Sequence, residues 1–205
     1  MSGEPLIFYH NPQSRAATVH WMLEEAGAPY ETRFISLKSG EQRQPAYLSI
    51  NPMGKVPAIQ HKGVVVTEVA AICCYLADEF PQHHLAPAIG DPQRGSYLRW
   101  MFFVPSCLEP ACIDHALKRE AAKPAMVGYG DYDTTMQVTA RALTQGPYLL
   151  GDRFTAADVV LGSLLRWTMM FQITPQLPEF VAYVDRLNER PAYKRARARD
   201  ADMEV

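Results

Sequence analysis

NPMGKVPAIQHKGVVVTEVAAICCYLADEF, residues 51–80, decides the fold by the order of its signals. Pro52, Gly54 and Pro57 enclose Lys55 directly ahead of an apolar run, which reads as a tight turn entering a strand. Residues 56–60 and 63–66 are two short strands joined by the His61-Lys62-Gly63 turn, an antiparallel hairpin. Pro57 cannot donate to a ladder and suits the start of a strand, where a cis Val56–Pro57 bond is expected. The peptide groups of Val56 are then available to an extended, peptide-like ligand. Val69, Ile72, Cys73, Leu76 and Phe80 recur at helical spacing.

Upstream, residues 6–9 form a short apolar strand ended by Asn11-Pro12, and residues 14–26 carry a helical stripe closed by Gly27. Residues 30–37 alternate with a strand's period of two. The order β-α-β-(α)-β-β-α requires a right-handed crossover between parallel strands, followed by the hairpin. The result is an α/β domain with a mixed four-stranded sheet over residues 1–80. Downstream, residues 81–92 hold Pro81, Pro87 and Pro92 and read as a linker. Beyond it no strand pattern appears. Helices are expected over 93–119 with a kink at Pro105, then 124–145, 155–171, 178–189 and 191–199. Pro178 and Pro191 suit first-turn positions. Residues 93–205 are therefore expected to form an all-helical second domain.

The 205 residues are 48% hydrophobic and 20% charged, with net charge −2, an ordinary globular balance. That charge offers no footprint for nucleic acid or an anionic membrane, and the run Lys194, Arg195, Arg197 and Arg199 reads as a solvated last helix. No apolar stretch is long enough for a membrane helix. Cys73, Cys74, Cys107 and Cys112 form no CxxC or zinc spacing, so no metal is expected and the compartment is expected to be cytoplasmic.

Three loci carry candidate chemistry. The loop of residues 9–15 joins a strand's carboxyl end to a helix N-terminus, a place that favours anions. There Ser14 offers a hydroxyl and Arg15 a positive charge, although a plain capping role for Ser14 is the competing reading. The second locus is the Lys55-Val56-Pro57 turn. The third is Glu68 with Val69 and Ala70 at a helix start, a carboxylate for an ammonium beside amides for a carboxylate. Together they suit the two charged ends of an α-amino acid.

Taken in order, Ser-Arg after the first strand, then NPMGKVPAI, then TEVAAICCYLAD, closely resemble the N-terminal half of cytosolic glutathione transferases of the bacterial type. The segment GDRFTAAD (151–158) is similar to that family's helix-start motif, with Thr155 as N-cap and Asp158 its capping-box partner. RPAY (190–193) resembles the family's final-helix start.

The resemblance implies a thioredoxin-like fold for the first domain and conjugation of the glutathione thiolate to a small hydrophobic electrophile. It implies that Val56, before Pro57, pairs its backbone with the cysteinyl part of glutathione. Glu68 takes the γ-glutamyl ammonium, the amide of Val69 its carboxylate, and Lys55 the glycine carboxylate or the peptide. Serine usually follows the glutamate in the family; Val69 lacks that hydroxyl, a loss worth about tenfold or more in affinity unless Thr67 substitutes. Ser14 is the first candidate for hydrogen-bonding the thiolate, followed by Asn11 and then Tyr9, with Arg15 adding charge. Tyr9 is read as a core residue and His10 as a solvent-facing strand end. Trp100, Phe103, Val104 and Cys107, with Tyr129 or Tyr132, are candidates for the electrophile pocket, though such stripes also build cores. The family implies a homodimer, with glutathione as substrate and no metal. A glutathione-dependent disulfide reductase or isomerase, or a non-catalytic binding protein, are the alternatives.

Overall fold

A computed structural model describes residues 5–120 and 122–203. It divides into two compact units: one runs to Leu85 and takes in the chain from Arg190 onward, the other spans Ala86–Glu189.

In the first unit β1 (Leu6–His10) lies parallel to β2 (Tyr30–Phe34), with α1 (Ala16–Glu25) crossing between them. α2 (Pro45–Leu48) is a single turn after a short 3₁₀ segment, Glu41–Arg43. β3 (Ala58–His61) and β4 (Val64–Thr67) form the expected hairpin, and α3 (Val69–Glu79) follows. The sheet order is β2-β1-β3-β4, with β3 antiparallel to both neighbours. Leu6, Phe8, Val19, Met22, Leu23, Ile59, Ile72 and Leu76 form its buried core.

The second unit holds α4 (Arg94–Phe103), α5 (Glu109–Ala116), α6 (Tyr132–Ala142), α7 (Ala156–Met170) and α8 (Pro178–Asn188). Pro105 lacks an N–H, and the chain between α4 and α5 widens into a π-turn over Val104–Leu108 instead of breaking. The helix expected from residue 124 begins at Tyr132; before it stands a 3₁₀ turn, Pro124–Met126. Asp131 caps α6 by accepting from the Thr134 N–H at 2.8 Å. At α7 the carboxylate of Asp158 accepts from the Thr155 N–H, the Leu149 N–H and the Tyr183 hydroxyl, each at 2.8 Å. Burial pushes this carboxyl up, against the pull of those donors. Within this unit Arg153 binds Asp91 and the Ala86 carbonyl, so residues 86–92 are fastened to the helices.

One sequence expectation needs correction. α9 (Pro191–Ala201), assigned above to the helical domain, belongs to the first unit, where it packs along α1. Its basic run is not simply solvated. Arg190 clasps Glu25 through two hydrogen bonds of 2.6 and 2.8 Å, and Arg195 and Arg199 both pair with Glu24 at 2.9 Å.

Candidate active site

The strand register brings the three loci to one end of the sheet. Tyr9 stands opposite Ala58, and Ala58 opposite Thr67. Continuing off that end, β1 leads into residues 11–15, β3 is entered through Val56-Pro57, and β4 runs into Glu68. Two helices, α1 and α3, also begin there, so the positive ends of two helix dipoles face the same end.

The first locus is braced from within. Buried Asn11 donates to the Ile35 carbonyl at 2.9 Å and accepts from the Gln13 N–H at 3.0 Å. Its side chain is committed to the loop itself. Tyr9 is 8% exposed, reaches Gln60 at 3.4 Å and packs edge-on against Tyr47, as a core residue does. Ser14 is half-buried; its hydroxyl donates to the Asn11 carbonyl at 2.7 Å and accepts from the Ala16 N–H at 3.0 Å. It thus serves the helix start, and Arg15 beside it is half-buried.

The second locus is a rigid corner. Tyr47 (2.6 Å) and Asn51 (2.8 Å) both donate to the Lys55 carbonyl. Gly54 sits at φ +60°, where a Cβ would lie 2.8 Å from the Gln42 carbonyl oxygen, so only glycine fits. The Val56–Pro57 bond is cis, and the β1–β3 register ends at Ala58, short of Val56.

The third locus is strained. Glu68, the N-cap of α3, has φ 67° and ψ 122°, outside the small left-handed region open to side-chain-bearing residues. It is exposed and its side chain makes no cap hydrogen bond. The strain thus sits at an exposed side chain that returns no capping bond.

Sequence reasoning misplaced His10. The ring is fully buried, and its Nε2 donates to Asp200 Oδ1 at 2.7 Å. The same oxygen receives His20 Nδ1 at 2.5 Å. Beyond His20, the Tyr30 hydroxyl donates to Glu24 and accepts from Arg199, at 2.8 and 2.9 Å. His20 Nε2 lies 2.8 Å from that same hydroxyl. Burial lowers the His10 pKa, against the raising effect of Asp200. Burial also raises Asp200, but its bonds from His10 and His20 outweigh this and hold it below the ordinary carboxylate value. Two imidazoles and a carboxylate could suit a divalent ion. The 2.5 and 2.7 Å spacings are hydrogen-bond lengths, however, whereas donors sharing a zinc stand about 3.3 Å apart.

In the second unit Trp100 and Val104 are buried, while Phe103 and Cys107 are half-buried. The Arg99 guanidinium lies 3.8 Å over the Trp100 ring and 4.9 Å from that of Phe103. Cys107 donates to the Gly128 carbonyl at 3.3 Å. A cavity of about 520 Å³ in this unit is lined by His115, Tyr132, Met169 and Gln172 among others, and includes none of the four residues singled out on α4 and its π-turn.

A four-stranded thioredoxin-like domain with its candidate loops at one sheet end, combined with a helical unit, defines the glutathione transferase class of fold. Two family models match the chain: glutathione S-transferase N-terminal domain over residues 4–78 and glutathione S-transferase C-terminal domain over residues 116–191. The chain belongs to the glutathione S-transferase family. It is 27% identical over 188 residues to glutathione S-transferase GstA of Escherichia coli O157:H7, covering 89% of this chain and 92% of that protein. A glutathione transferase from Methylococcus capsulatus superposes with a TM-score of 0.81 at 28% identity, over 97% of this chain and all of the other. A Sulfitobacter homologue solved with bound glutathione gives 0.75 at 25% identity, over 98% and 99% of the two chains.

Proposed function

We propose that the protein binds glutathione at the sheet end where its three loci meet, and conjugates the thiolate to a small hydrophobic electrophile. The observation that carries this reading is Glu68: an exposed carboxylate held at φ 67° at the N-cap of α3. Glu68 takes the γ-glutamyl ammonium, and the amides opening α3 take the adjoining carboxylate. Val56, beyond the end of the ladder, pairs with the cysteinyl peptide, and Lys55 answers the glycine carboxylate. The sulfur then lies toward residues 11–15.

A free thiol with pKa near 8.5 is mostly protonated at neutral pH, so the protein must stabilise the anion. Ser14 donates its hydroxyl to the thiolate by turning from the Asn11 carbonyl, while its lone pair continues to receive the Ala16 N–H. The α1 amides and Arg15 add positive potential. Asn11 and Tyr9, held by other partners, shape the loop. Phe103 and Cys107 serve the electrophile side, and the assembly is a homodimer that needs no metal.

Calorimetric titration with glutathione tests the reading, with wild type beside Glu68→Ala and Ser14→Ala. Saturable binding weakened by Glu68→Ala, with Ser14→Ala chiefly raising the bound thiol's pKa, supports it. Absence of saturable heat up to about 10 mM, a weakness beyond the usual range of specific small-ligand binding, refutes it and favours a non-catalytic role.

A further inference from the structure

We propose that Asp200, on the last turns of the chain's final helix, is a positioning residue for the loop that activates the thiol; this rests on the reading of Ser14 above. Its Oδ1 bridges His10, the last residue of β1, and His20, in the middle of α1. Residues 11–15 are the whole of the loop between those two elements. One oxygen, contributed 180 residues after His20, therefore holds the strand end that enters the loop and the helix that leaves it, at 2.7 and 2.5 Å.

All three residues are buried, so water cannot take over either bond. His20 is fixed on its far side by Tyr30, which is in turn tied to Glu24 and Arg199. The His10 backbone adds a second fastening, accepting from the Ile35 N–H at 2.8 Å, while Asn11 holds the Ile35 carbonyl. The strand end and helix are thus clamped independently of the loop's own turns. A thiolate donor works only when held within a few tenths of an ångström of its place. Asp200 supplies that constraint without touching glutathione.

Asp200→Asn keeps the shape and one acceptor oxygen but removes the charge shared by the two rings. Arg195→Ala is the control, because Arg195 secures the same helix to Glu24 yet stands outside the triad. Two readouts are compared: amide hydrogen exchange at Gln13, Ala16 and Ala17, and the pH profile of kcat/KM with the bound thiol's pKa. Asp200→Asn is expected to speed exchange at those amides by about tenfold or more, and to raise the thiol pKa by about one unit, a tenfold loss at neutral pH. Arg195→Ala is expected to leave the thiol pKa and the loop amides as in wild type.

Unchanged exchange and an unchanged pH profile in Asp200→Asn overturn the proposal, as does an equal shift in Arg195→Ala, which marks a merely structural role. The exchange arm needs no glutathione, so a wild type that fails to bind it sinks the functional reading and still leaves the clamp measurable. Should Asp200→Asn not fold, His10→Gln releases one end of the loop, and the same two outcomes apply.

Discussion

Replacing Glu68 separates stability from function in a way few positions allow. At φ 67° and ψ 122° a side-chain-bearing residue costs about 1–3 kcal/mol relative to relaxed backbone. Glycine removes the steric part but loses more entropy on folding, about 0.5–1 kcal/mol. Glu68→Gly should therefore stabilise the protein by about 0.5–2 kcal/mol, or about 2–6 °C in Tm for a chain of this size. Glu68→Ala keeps the Cβ and hence the strain; at an exposed site its stability should stay within about 0.5 kcal/mol of wild type. Both variants lose the ammonium partner, worth about 1.5–3 kcal/mol, so both should bind glutathione roughly ten- to hundredfold more weakly. Urea unfolding gives the first pair of numbers and calorimetry the second. A Glu68→Gly protein less stable than Glu68→Ala would show that no strain is stored at this position. Equal affinity in all three proteins would remove Glu68 from the site.

Other positions give sharper single tests. Asp158→Ala strands the Thr155 and Leu149 amides and the Tyr183 hydroxyl, at about 1–3 kcal/mol per buried donor; a loss of about 3–5 kcal/mol is expected in urea unfolding, and one under about 1 kcal/mol contradicts the bonding described. Ser14→Ala should raise the bound thiol's pKa, read from thiolate ultraviolet absorbance, while costing about 0.5–1 kcal/mol in folding through the lost Ala16 bond. Acid should weaken the fold in two stages. His10 has a folded pKa below 6.5, so its contribution is complete above pH 6.5 and declines as pH falls toward the folded value. Glu24 is raised by burial but pulled further down by Arg195, Tyr30 and Arg199, so its contribution is complete above pH 4.5 and lost below. A urea midpoint flat between pH 7 and 5 would contradict the first stage, which His10→Gln should abolish.

Periodicity carried most of the architecture because helices such as α3 and α8 bury one face against a core. The β-α-β crossover, the hairpin and the capping box at Asp158 all rest on local spacing, and local spacing is visible in a sequence. The helix expected from residue 124 starts late because Pro124 and the glycines at 128 and 130 favour turns over the first turns of a helix. His10 was legible and misread: it shares the i, i+2, i+4 face of Leu6 and Phe8, both essentially fully buried, and so had to be buried too. Its polarity suggested solvent, whereas its position demanded a partner. That partner was beyond sequence reasoning, since nothing local marks Asp200 among the arginines and alanines of α9 as the one acidic group turned inward.

The same contact explains why the boundary drawn from composition is physically incomplete. A first domain ending at residue 80 would leave buried His10 and His20 without the carboxylate both require, and Glu24 and Glu25 without three arginines. It would also uncover Trp21, whose ring packs edge-on against Tyr193 at 5.3 Å. Each buried imidazole lacking its acceptor costs about 1–3 kcal/mol, a large part of a domain's stability of about 5–15 kcal/mol, and the uncovered apolar face adds to that. The chain must therefore pass through the helical unit before the glutathione-type domain can close. The loop carrying Ser14 reaches its final geometry only when the last helix docks, which ties a candidate thiol activator near the beginning of the chain to a carboxylate near its end.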